Sequence, residues 1–506
     1  MHNEKINGIS KSTTCGFWAA SALPDPLAAA ACSWTYARGG NAADAAVAAA
    51  FALAVVEPDM SGLGGQAHIV VRDGRTGQIE AIDAYSIAPS EANESMFEWE
   101  GSSTQGEFLF KTVGDKNTNG HLSIAVPGAL LGWNYVHKKY GTLPLDVLLE
   151  PAIGYAEQGF PVNRRLAVAI QDNLDRISGF PESRELLLDT YGKPKTEGSW
   201  LKQSALARTL KLIARNGVSV FYEGEVARSL VREMEKGGGI IRIDDLGNAL
   251  RNLLRVVPPV EGKYRGASFF SAPPPSAGGG MLSRILAVLD KFDMVQLEEQ
   301  GVCALAEVFR LSFAKRAEVF GQPTVGPETI SAFCSEQAVA AEVAEVTRRL
   351  KGLQSGDVIV RRVVQEEQTT HHSHMDSNGT CVALTQSLGS QFGSCVMVPE
   401  YGIFLNNAMK LFDARPGKPN CIAPGRKMLS SMSPTIVMKD GQPRLVLGSP
   451  MGTRIISAVA QVIVNVYGRG LPLWEAISRP RIDFSTGELM AEDNLDENEK
   501  EALRQA

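Results

Sequence analysis

The stretch QTTHHSHMDSNG, at residues 368–379, sets two threonines beside three histidines and ends in a turn signal. A threonine hydroxyl becomes a nucleophile when a base is near, and histidines act as bases or bind metal ions. Three interpretations compete: a solvated polar hairpin, a metal site, or a threonine that becomes N-terminal when the chain cuts itself. In the third, the freed α-amine, with a pKa near about 8, is the base for its own hydroxyl.

An Asn-Gly pair predicts that this stretch is the first strand and turn of a hairpin, with TCVALTQS as the second strand. Thr369 and Ser387 lie nine residues to either side of Asn378, so a turn centred there sets them opposite each other. A register one residue longer would oppose Thr369 to Leu388 and turn Ser387 to the other face. The first register allows one hydroxyl to donate to the other, but spacing alone does not choose among the three interpretations.

Histidines and cysteines near this hairpin are the alternative reactive groups. Side chains alternate along a strand, so His372 and His374 share one face and His371 lies on the other. No cysteine or carboxylate cluster is close in sequence, so we expect no metal ion and no cofactor. Cys381 and Cys395 fall in predicted strands and are interpreted as core thiols.

The elements that must position the hairpin are segregated along the chain. Residues 39–58 are Ala-rich and predict a buried helix capped by Asn41. Residues 61–73 predict a Gly-rich turn entering a strand, whereas a phosphate loop would enter a helix. Residues 125–350 are mostly helical, which together with the later strands predicts a layered α+β fold rather than a doubly wound sheet. The later predicted elements are strands at 380–386, 394–398, 402–406, 434–438 and 443–447 and a helix from 455 to about 466.

Composition limits the class of protein and its partners. The chain has 506 residues, 44% of them hydrophobic, which allows a large core and two or more domains. Its net charge of −6 and lack of a long basic run argue against nucleic-acid and membrane partners. The first 16 residues contain no apolar leader, and no run is long enough to span a bilayer. Seven irregularly spaced cysteines do not suggest a disulfide framework, so we expect a soluble cytoplasmic protein.

Many motifs in order resemble the γ-glutamyltransferase family of N-terminal nucleophile hydrolases. The resemblance extends from about residue 36 to residue 485 and is specific because no single motif carries it. It implies a four-layer αββα sandwich, made as an inactive precursor that cleaves itself into a large and a small subunit. The motifs are GGNAADAAVAAAFALAVVEP (39–58), SGLGGQ (61–66), the segment 126–162, PPPSAGGGML (273–282), RLSFAKRAEVFGQP (310–323), QTTH (368–371), GIFLNNAM (402–409), LSSMSPTIVMKDGQPRLVLGSPMGTRI (429–455) and ISRPRI (477–482).

The resemblance also implies where the chain is cut. Cleavage before the first threonine of the family motif falls on the bond between Gln368 and Thr369. Thr369 is then both the self-cleaving group and the catalytic nucleophile. The products, 1–368 and 369–506, together form one composite domain. Association of this unit into a higher oligomer stays open.

Three further catalytic positions follow from the resemblance. The family's second hydroxyl, which hydrogen-bonds the nucleophile, falls on Ser387. Its two oxyanion-hole glycines fall on Met451 and Gly452. Because the hole uses backbone N–H groups, methionine need not abolish it, although methionine could narrow the pocket and does not adopt positive φ as freely as glycine.

The family residues that bind glutamate are mostly replaced. In the segment IDAYSIAP, Tyr85 stands where the family has the arginine that binds the α-carboxylate. The serine pair, Ser430 and Ser431, is kept. The positions of the α-amine ligands are occupied by Gly389, Ala408 and Leu411.

These replacements remove the strongest contacts to a zwitterion, so we expect poor use of γ-glutamyl compounds. The serine pair could still bind a small carboxylate, with a hydroxyl from Tyr85. We therefore expect hydrolysis of a small-molecule amide such as oxamate, without a specific acceptor for transfer. The alternatives are a γ-glutamyltransferase or glutathione hydrolase, a cephalosporin-type acylase, an oxalyl C–C hydrolase, and an unprocessed homologue without catalysis.

Overall fold

The computed structural model describes residue 16 and residues 18–102, 110–297, 300–351, 361–362 and 368–505. Residues 1–15, most of the segment in which we expect no leader, lie outside the described residues. In the part of the chain that is described, no helix is both long enough and apolar enough to cross a membrane.

The strands and helices follow one another in this order along the chain. The strands are β1 (Ala19–Ala22), β2 (Gln66–Arg72), β3 (Ile79–Ala84), β4 (Trp99–Ser102), β5 (Phe110–Thr112), β6 (Phe160–Pro161), β7 (Trp200–Leu201), β8 (Arg255–Val257), β9 (Val260–Tyr264), β10 (Ala267–Ser271), β11 (Arg361–Arg362), β12 (Thr370–Asp376), β13 (Cys381–Ser387), β14 (Met397–Val398), β15 (Ile403–Phe404), β16 (Thr435–Lys439), β17 (Gln442–Leu447), β18 (Ile482–Asp483) and β19 (Met490–Ala491). The helices are α1 (Pro26–Ala37), α2 (Ala42–Val56), α3 (Ala129–Tyr140), α4 (Leu145–Gln158), α5 (Arg164–Asp172), α6 (Leu174–Ser178), α7 (Pro181–Leu187), α8 (Ser204–Asn216), α9 (Ser219–Tyr222), α10 (Glu225–Lys236), α11 (Ile243–Asn252), α12 (Gly278–Leu289), α13 (Gln300–Ala314), α14 (Arg316–Phe320), α15 (Pro327–Phe333), α16 (Glu336–Lys351), α17 (Ile455–Ile463), α18 (Leu473–Ser478) and α19 (Glu497–Gln505). Short 3₁₀ turns span Val113–Asp115, His121–Ser123, Ala408–Leu411 and Gly452–Arg454, and a π turn spans Val464–Gly468.

Two antiparallel sheets form the centre of the molecule. The first has the strand order β1-β12-β13-β2-β3-β8, and the second has the order β17-β16-β10-β9. Each sheet contains strands from before and after residue 368. Small apolar side chains of both sheets fill the space between them: Val70, Ala81, Cys381, Ala383 and Ile436.

Helices cover the outer face of each sheet, which completes the four-layer αββα arrangement in the α+β class. Helices α2 and α3 pack on the first sheet, with α1 and α4 against α2, and α12 packs on the second sheet, with α13, α16 and α17 against it. Helix α2 is buried along its whole length, as its Ala-rich sequence predicts. The predicted cap is also confirmed, because the Asn41 side chain accepts the N–H groups of Ala43 and Asp44.

The β12–β13 hairpin has the first of the two predicted registers. Thr370 pairs with Gln386, and Met375 pairs with Cys381. One further step sets Thr369 opposite Ser387, just outside the ladder. The hairpin lies inside the sheet, between β1 and β2, and every residue of β13 is buried. The interpretation as a solvated polar hairpin is therefore wrong.

The prediction departs from the structure in two segments. Strands β9 and β10 lie within the mostly helical segment 125–350 and form half of the second sheet. Both have only five residues, too few for alternation to stand out from the flanking helices. The predicted strand 394–398 shortens to β14, because Cys395 has a φ of 61° and precedes the pairing. Cys381 and Cys395 are both fully buried, which confirms them as core thiols.

Candidate active site

A hydroxyl pair joins the two ends of the hairpin. Thr369 Oγ1 donates a hydrogen bond to Ser387 Oγ at 3.0 Å, and both residues are buried. The N–H of Gly389 donates to the same Ser387 oxygen at 2.9 Å. Gly389 has a φ of 101°, and a Cβ there would meet Asn407 Oδ1 at 2.2 Å, so this position requires glycine. The turn after β13 thus holds Ser387 in place as the acceptor for Thr369.

The carbonyl group before Thr369 is also held. Its oxygen, on Gln368, accepts the N–H of Met451 at 3.1 Å. Met451 is left-handed, with φ 89° and ψ 40°, and Gly452 follows with a φ of 59°. This conformation costs a non-glycine residue about 1–2 kcal/mol. The methionine side chain therefore does not prevent positive φ, and the backbone N–H points at the oxygen that attack on Gln368 would charge, as in an oxyanion hole.

Thr369 itself has a strained backbone, with a φ of 100°. Positive φ is an outlier for a β-branched residue and costs on the order of 1–3 kcal/mol. The angle φ is measured from the carbonyl carbon of Gln368, so cutting the bond between the two residues abolishes this torsion. The strain is thus located where its release favours cleavage.

A cavity of about 180 Å³ opens beside these groups. Ala408, which we expected at the substrate, does not line it, because the residue is fully buried in the core beside the second sheet. That prediction is wrong. The other predicted residues all line the cavity: Gln368, Thr369, Ser387, Met451, Gly452, Tyr85, Ser430, Ser431, Gly389 and Leu411.

The cavity wall also carries four cationic side chains that the sequence analysis missed: Arg316, Lys410, Arg415 and Arg454. Among the described lining residues, Asp413 has the only carboxylate, and Arg415 donates to its two oxygens at 2.9 and 2.7 Å. Four cations against one carboxylate make the wall positive, which favours an anionic ligand. Arg316 lies within the motif at 310–323, and Lys410 directly follows the motif at 402–409. This neighbourhood was the available signal in the sequence, but the direction in which each side chain points depends on the fold.

Arg316 lines the same cavity as Tyr85, the residue at whose position the family resemblance implied an arginine. It is buried, and its Nη2 donates to Ser431 Oγ at 2.6 Å and to the carbonyl oxygen of Ser430 at 3.2 Å. Burial lowers the pKa of Arg316 to about 10, so the guanidinium stays charged at neutral pH. Burial raises the pKa of Tyr85 to about 12, against the effects of a hydrogen bond to Ser430 and of the Arg316 charge. A guanidinium from α14 therefore reaches the serine pair, while Tyr85 is a neutral phenol.

The three histidines of β12 are tied into the sheet. Nδ1 and Nε2 of His371 lie 2.8 Å from Thr385 Oγ1 and 2.9 Å from Ser373 Oγ. On the other face, His372 Nδ1 lies 2.7 Å from His374 Nε2, as the predicted alternation requires. Burial lowers the pKa of His371 and of His374 to about 3, so both are neutral at pH 7. No group of three or more side chains suited to a metal ion occurs among the residues described.

Comparisons with known proteins found similar sequences and a similar fold over most of the chain. Residues 28–506 match the family model described as gamma-glutamyltranspeptidase. The chain is 37% identical over 459 residues to the glutathione hydrolase proenzyme of Escherichia coli (strain K12), which covers 88% of this chain and 77% of that protein. It is 36% identical over 488 residues to the acylase ACY 1 proenzyme of Pseudomonas sp. (strain SE83), which covers 94% of this chain and 84% of that one. The fold is similar to the crystal structure of a cephalosporin acylase from Bacillus halodurans, with a TM-score of 0.84, 25% identity, and coverage of 100% and 91%.

Proposed function

The chain belongs to the gamma-glutamyltranspeptidase family, and on that premise we propose that it is an N-terminal threonine amidohydrolase that first cuts itself and then hydrolyses a small amide. The observation that carries the proposal is the 3.1 Å hydrogen bond from the N–H of Met451 to the carbonyl oxygen of Gln368, beside the hydroxyl of Thr369. Two relatives are named as proenzymes, which supports maturation from one precursor.

Self-cleavage uses the carbonyl group that Met451 holds. Thr369 Oγ attacks the carbonyl carbon of Gln368, and the Met451 N–H stabilises the oxyanion. The C–N bond then breaks as the nitrogen takes up the proton that Oγ loses, which frees the α-amine of Thr369 and leaves Gln368 as an ester on Thr369 Oγ. One water molecule hydrolyses this ester, which gives a carboxylate on residue 368 and restores the hydroxyl of Thr369.

The freed amine is the base of the mature enzyme. It takes the hydroxyl proton as Oγ attacks the substrate amide, while Ser387 orients Oγ. The N–H groups of Met451 and Gly452 hold the oxyanion. The leaving amine receives the proton as the C–N bond breaks, and water hydrolyses the acyl ester to restore Thr369.

The acyl group that suits the cavity carries a carboxylate and no α-ammonium. The positive wall repels an ammonium, and the apolar Leu411 stands where an anionic partner would be needed. Arg316 and Ser431 offer donors to a carboxylate. Oxamate is the smallest amide of this class. The cavity is also below the roughly 300–1,000 Å³ typical of pockets for drug-sized ligands, which favours a small acyl group.

Two other functions have specific support. The name of the Escherichia coli relative favours a glutathione hydrolase, but Tyr85 and Leu411 leave the zwitterion of γ-glutamyl compounds without its usual partners. An acylase is the second candidate, because the acylase relative and the Bacillus halodurans acylase each cover more than nine-tenths of this chain. An oxalyl C–C hydrolase would use the same nucleophile.

An amide panel tests the proposal. Purified protein is incubated until cleavage is complete and is then assayed with oxamate, γ-glutamyl anilide and an acyl-β-lactam. We expect two fragments on a denaturing gel and turnover of oxamate above that of γ-glutamyl anilide. Preferred turnover of γ-glutamyl anilide would overturn the substrate class, and preferred turnover of the β-lactam would favour the acylase. A single intact band after long incubation would favour the unprocessed homologue. The cytoplasmic location and a higher oligomer stay predictions.

A further inference from the structure

A second cavity, of about 440 Å³, is lined by residues from the end of α11, the loop before α12, the end of α14 and the loop before β16. Its volume falls within the roughly 300–1,000 Å³ typical of pockets for small organic ligands. It contains none of the predicted catalytic residues, and among the described residues it shares only Asn420 and Leu429 with the cavity beside Thr369. A ligand bound in the second cavity would therefore lie apart from the nucleophile.

Positive charge predominates on the wall of the second cavity. Arg255, Arg426 and Lys427 line it, whereas no carboxylate occurs among its described lining residues. The buried carboxylate of Asp83 lies 2.8 Å from Lys427 Nζ and 3.8 Å from Arg255 Nη1, so Lys427 is its closer partner. One carboxylate thus stands against three cations, and the surplus positive charge favours an anionic ligand.

The two arginines differ in how they are held. Arg426 donates to the backbone carbonyl oxygens of three residues: Gly321 at 2.7 Å, Cys421 at 2.9 Å, and Pro419. These acceptors are neutral, so they fix the side chain without cancelling its charge. The side chain of Arg255, by contrast, is 55% exposed. Because a guanidinium presents paired N–H groups that match the two oxygens of a carboxylate, Arg255 is suited to bind such a group from solvent.

Much of the remaining wall of the second cavity is apolar. Phe320 is buried and packs edge to face on Phe333, with the two ring centroids 5.3 Å apart. Pro274, Pro275 and Val325 add further apolar surface. A ligand that covers these side chains removes apolar area from water, which favours binding. The second cavity thus suits an anion that also carries an apolar body.

We propose that the second cavity is a binding site for a small organic carboxylate with an apolar body, such as an aromatic acid. Arg255 holds the carboxylate, and the ring lies against Phe320 and Pro275. Among the described lining residues there is no hydroxyl, thiol, carboxylate or imidazole side chain, so the ligand is bound and not converted. Binding needs neither self-cleavage nor Thr369, and the site therefore goes beyond the proposed function.

Calorimetric titration of the full-length protein tests the site with three probes: benzoate, its neutral analogue benzyl alcohol, and acetate, which lacks the ring. We expect benzoate to bind at least about tenfold more tightly than either of the others. Arg255→Met should weaken benzoate binding by at least about tenfold, and Arg255→Lys should retain part of it. Arg251→Met is the matched control and should keep the affinity, because Arg251 pairs with Glu223 and its side chain is 57% exposed, against 55% for Arg255.

A photoreactive benzoate that carries a diazirine locates the bound ligand in the wild-type protein. This step is needed because the cavity beside Thr369 also has a positive wall. After irradiation we expect the label within residues 248–255 or 320–325. A label confined to residues 451–454 would overturn the proposal, and this result does not depend on the folding of any variant.

Three affinity results would also overturn the proposal. Equal affinity for benzoate and benzyl alcohol would show that charge is not recognised, and equal affinity for benzoate and acetate would show that the ring is not. Unchanged benzoate affinity in folded Arg255→Met would exclude Arg255 as the carboxylate ligand.

Thr369→Ala separates the second cavity from the proposed function. This variant should bind benzoate as the wild type does, whether or not the wild type cleaves itself. Failure of the second site and failure of the proposed function are therefore distinguishable. Loss of benzoate binding in Thr369→Ala would place the ligand beside residue 369 and overturn the second site.

Discussion

Thr369 Oγ1 lies 3.0 Å from Ser387 Oγ, one step beyond the last backbone pair of the β12–β13 ladder. The two residues are connected there by their hydroxyl groups, and the N–H of Gly389 fixes the acceptor. The Thr369 hydroxyl is therefore oriented at the end of a sheet, next to the carbonyl group of Gln368 that the N–H of Met451 contacts.

Replacing Thr369 tests the identity of the nucleophile. Thr369→Ala has no hydroxyl to attack Gln368, so we expect one intact chain and no amide turnover. Thr369→Ser keeps the hydroxyl and should still give fragments 1–368 and 369–506, detected as a new N-terminus by mass spectrometry. Cleavage or turnover by the alanine variant at the wild-type rate would refute the assignment.

Replacing Ser387 tests its role as the orienting acceptor. Ser387→Ala removes the acceptor of both the Thr369 hydroxyl and the Gly389 N–H. A buried donor left without an acceptor costs about 1–3 kcal/mol. We expect kcat to fall by about ten- to a hundredfold with KM little changed. Ser387→Thr restores the hydroxyl and should recover most of kcat. If KM rises instead while kcat is kept, Ser387 binds substrate rather than orienting the nucleophile.

Replacing Met451 separates its backbone from its side chain. Met451→Gly and Met451→Ala both keep the N–H that contacts Gln368, so both variants should cleave themselves. Glycine adopts the left-handed backbone conformation without the steric cost that alanine has. The free energy of unfolding should therefore be about 1 kcal/mol higher for the glycine variant than for the alanine variant. Urea titration measures this difference. Equal stability of the two variants would mean that the positive φ carries no penalty here.

The buried histidines predict acid sensitivity. Burial holds the pKa of His371 and His374 at about 3 and lowers that of His372 well below its usual value. The unfolded chain takes up these protons below pH 6.5 and the folded chain does not, so stability falls as the pH drops. Between pH 7.5 and 5.5 each histidine costs about 1.4 kcal/mol. Burial raises the pKa of Glu57 to about 7, so the folded chain takes up this proton before the unfolded chain does as the pH falls. Over the same interval Glu57 therefore increases the stability of the folded chain, which offsets roughly the loss caused by one histidine.

Urea unfolding at the two pH values checks this prediction. His371→Asn should reduce the loss of stability on acidification by about one histidine's share, or about 1.4 kcal/mol. His137→Asn, on the half-buried surface of α3, is the matched control. An unchanged pH dependence in the His371 variant would show that this imidazole is not held neutral in the folded state.

Local sequence patterns were sufficient to predict the β12–β13 hairpin and helix α2. The Asn-Gly turn predicted the hairpin with two candidate registers, and the observed register is the one that opposes Thr369 to Ser387. The cap at Asn41 likewise depends on a hydrogen bond within four residues. Such contacts form between near neighbours, so the order of the amino acids is enough to identify them.

The charge of the cavity was decided only by packing. Arg316 reaches Ser431 across 115 positions of the chain, and Lys410 turns toward Gln368 while Ala408, two residues earlier, turns into the core. The N–H of Met451 meets Gln368 only because the turn before α17 lies beside the start of β12. These directions depend on how layers of helices and sheets pack on one another, which no local periodicity encodes. The order of motifs along the chain thus predicted Thr369 as the nucleophile, and the tertiary structure determined which charges surround this residue.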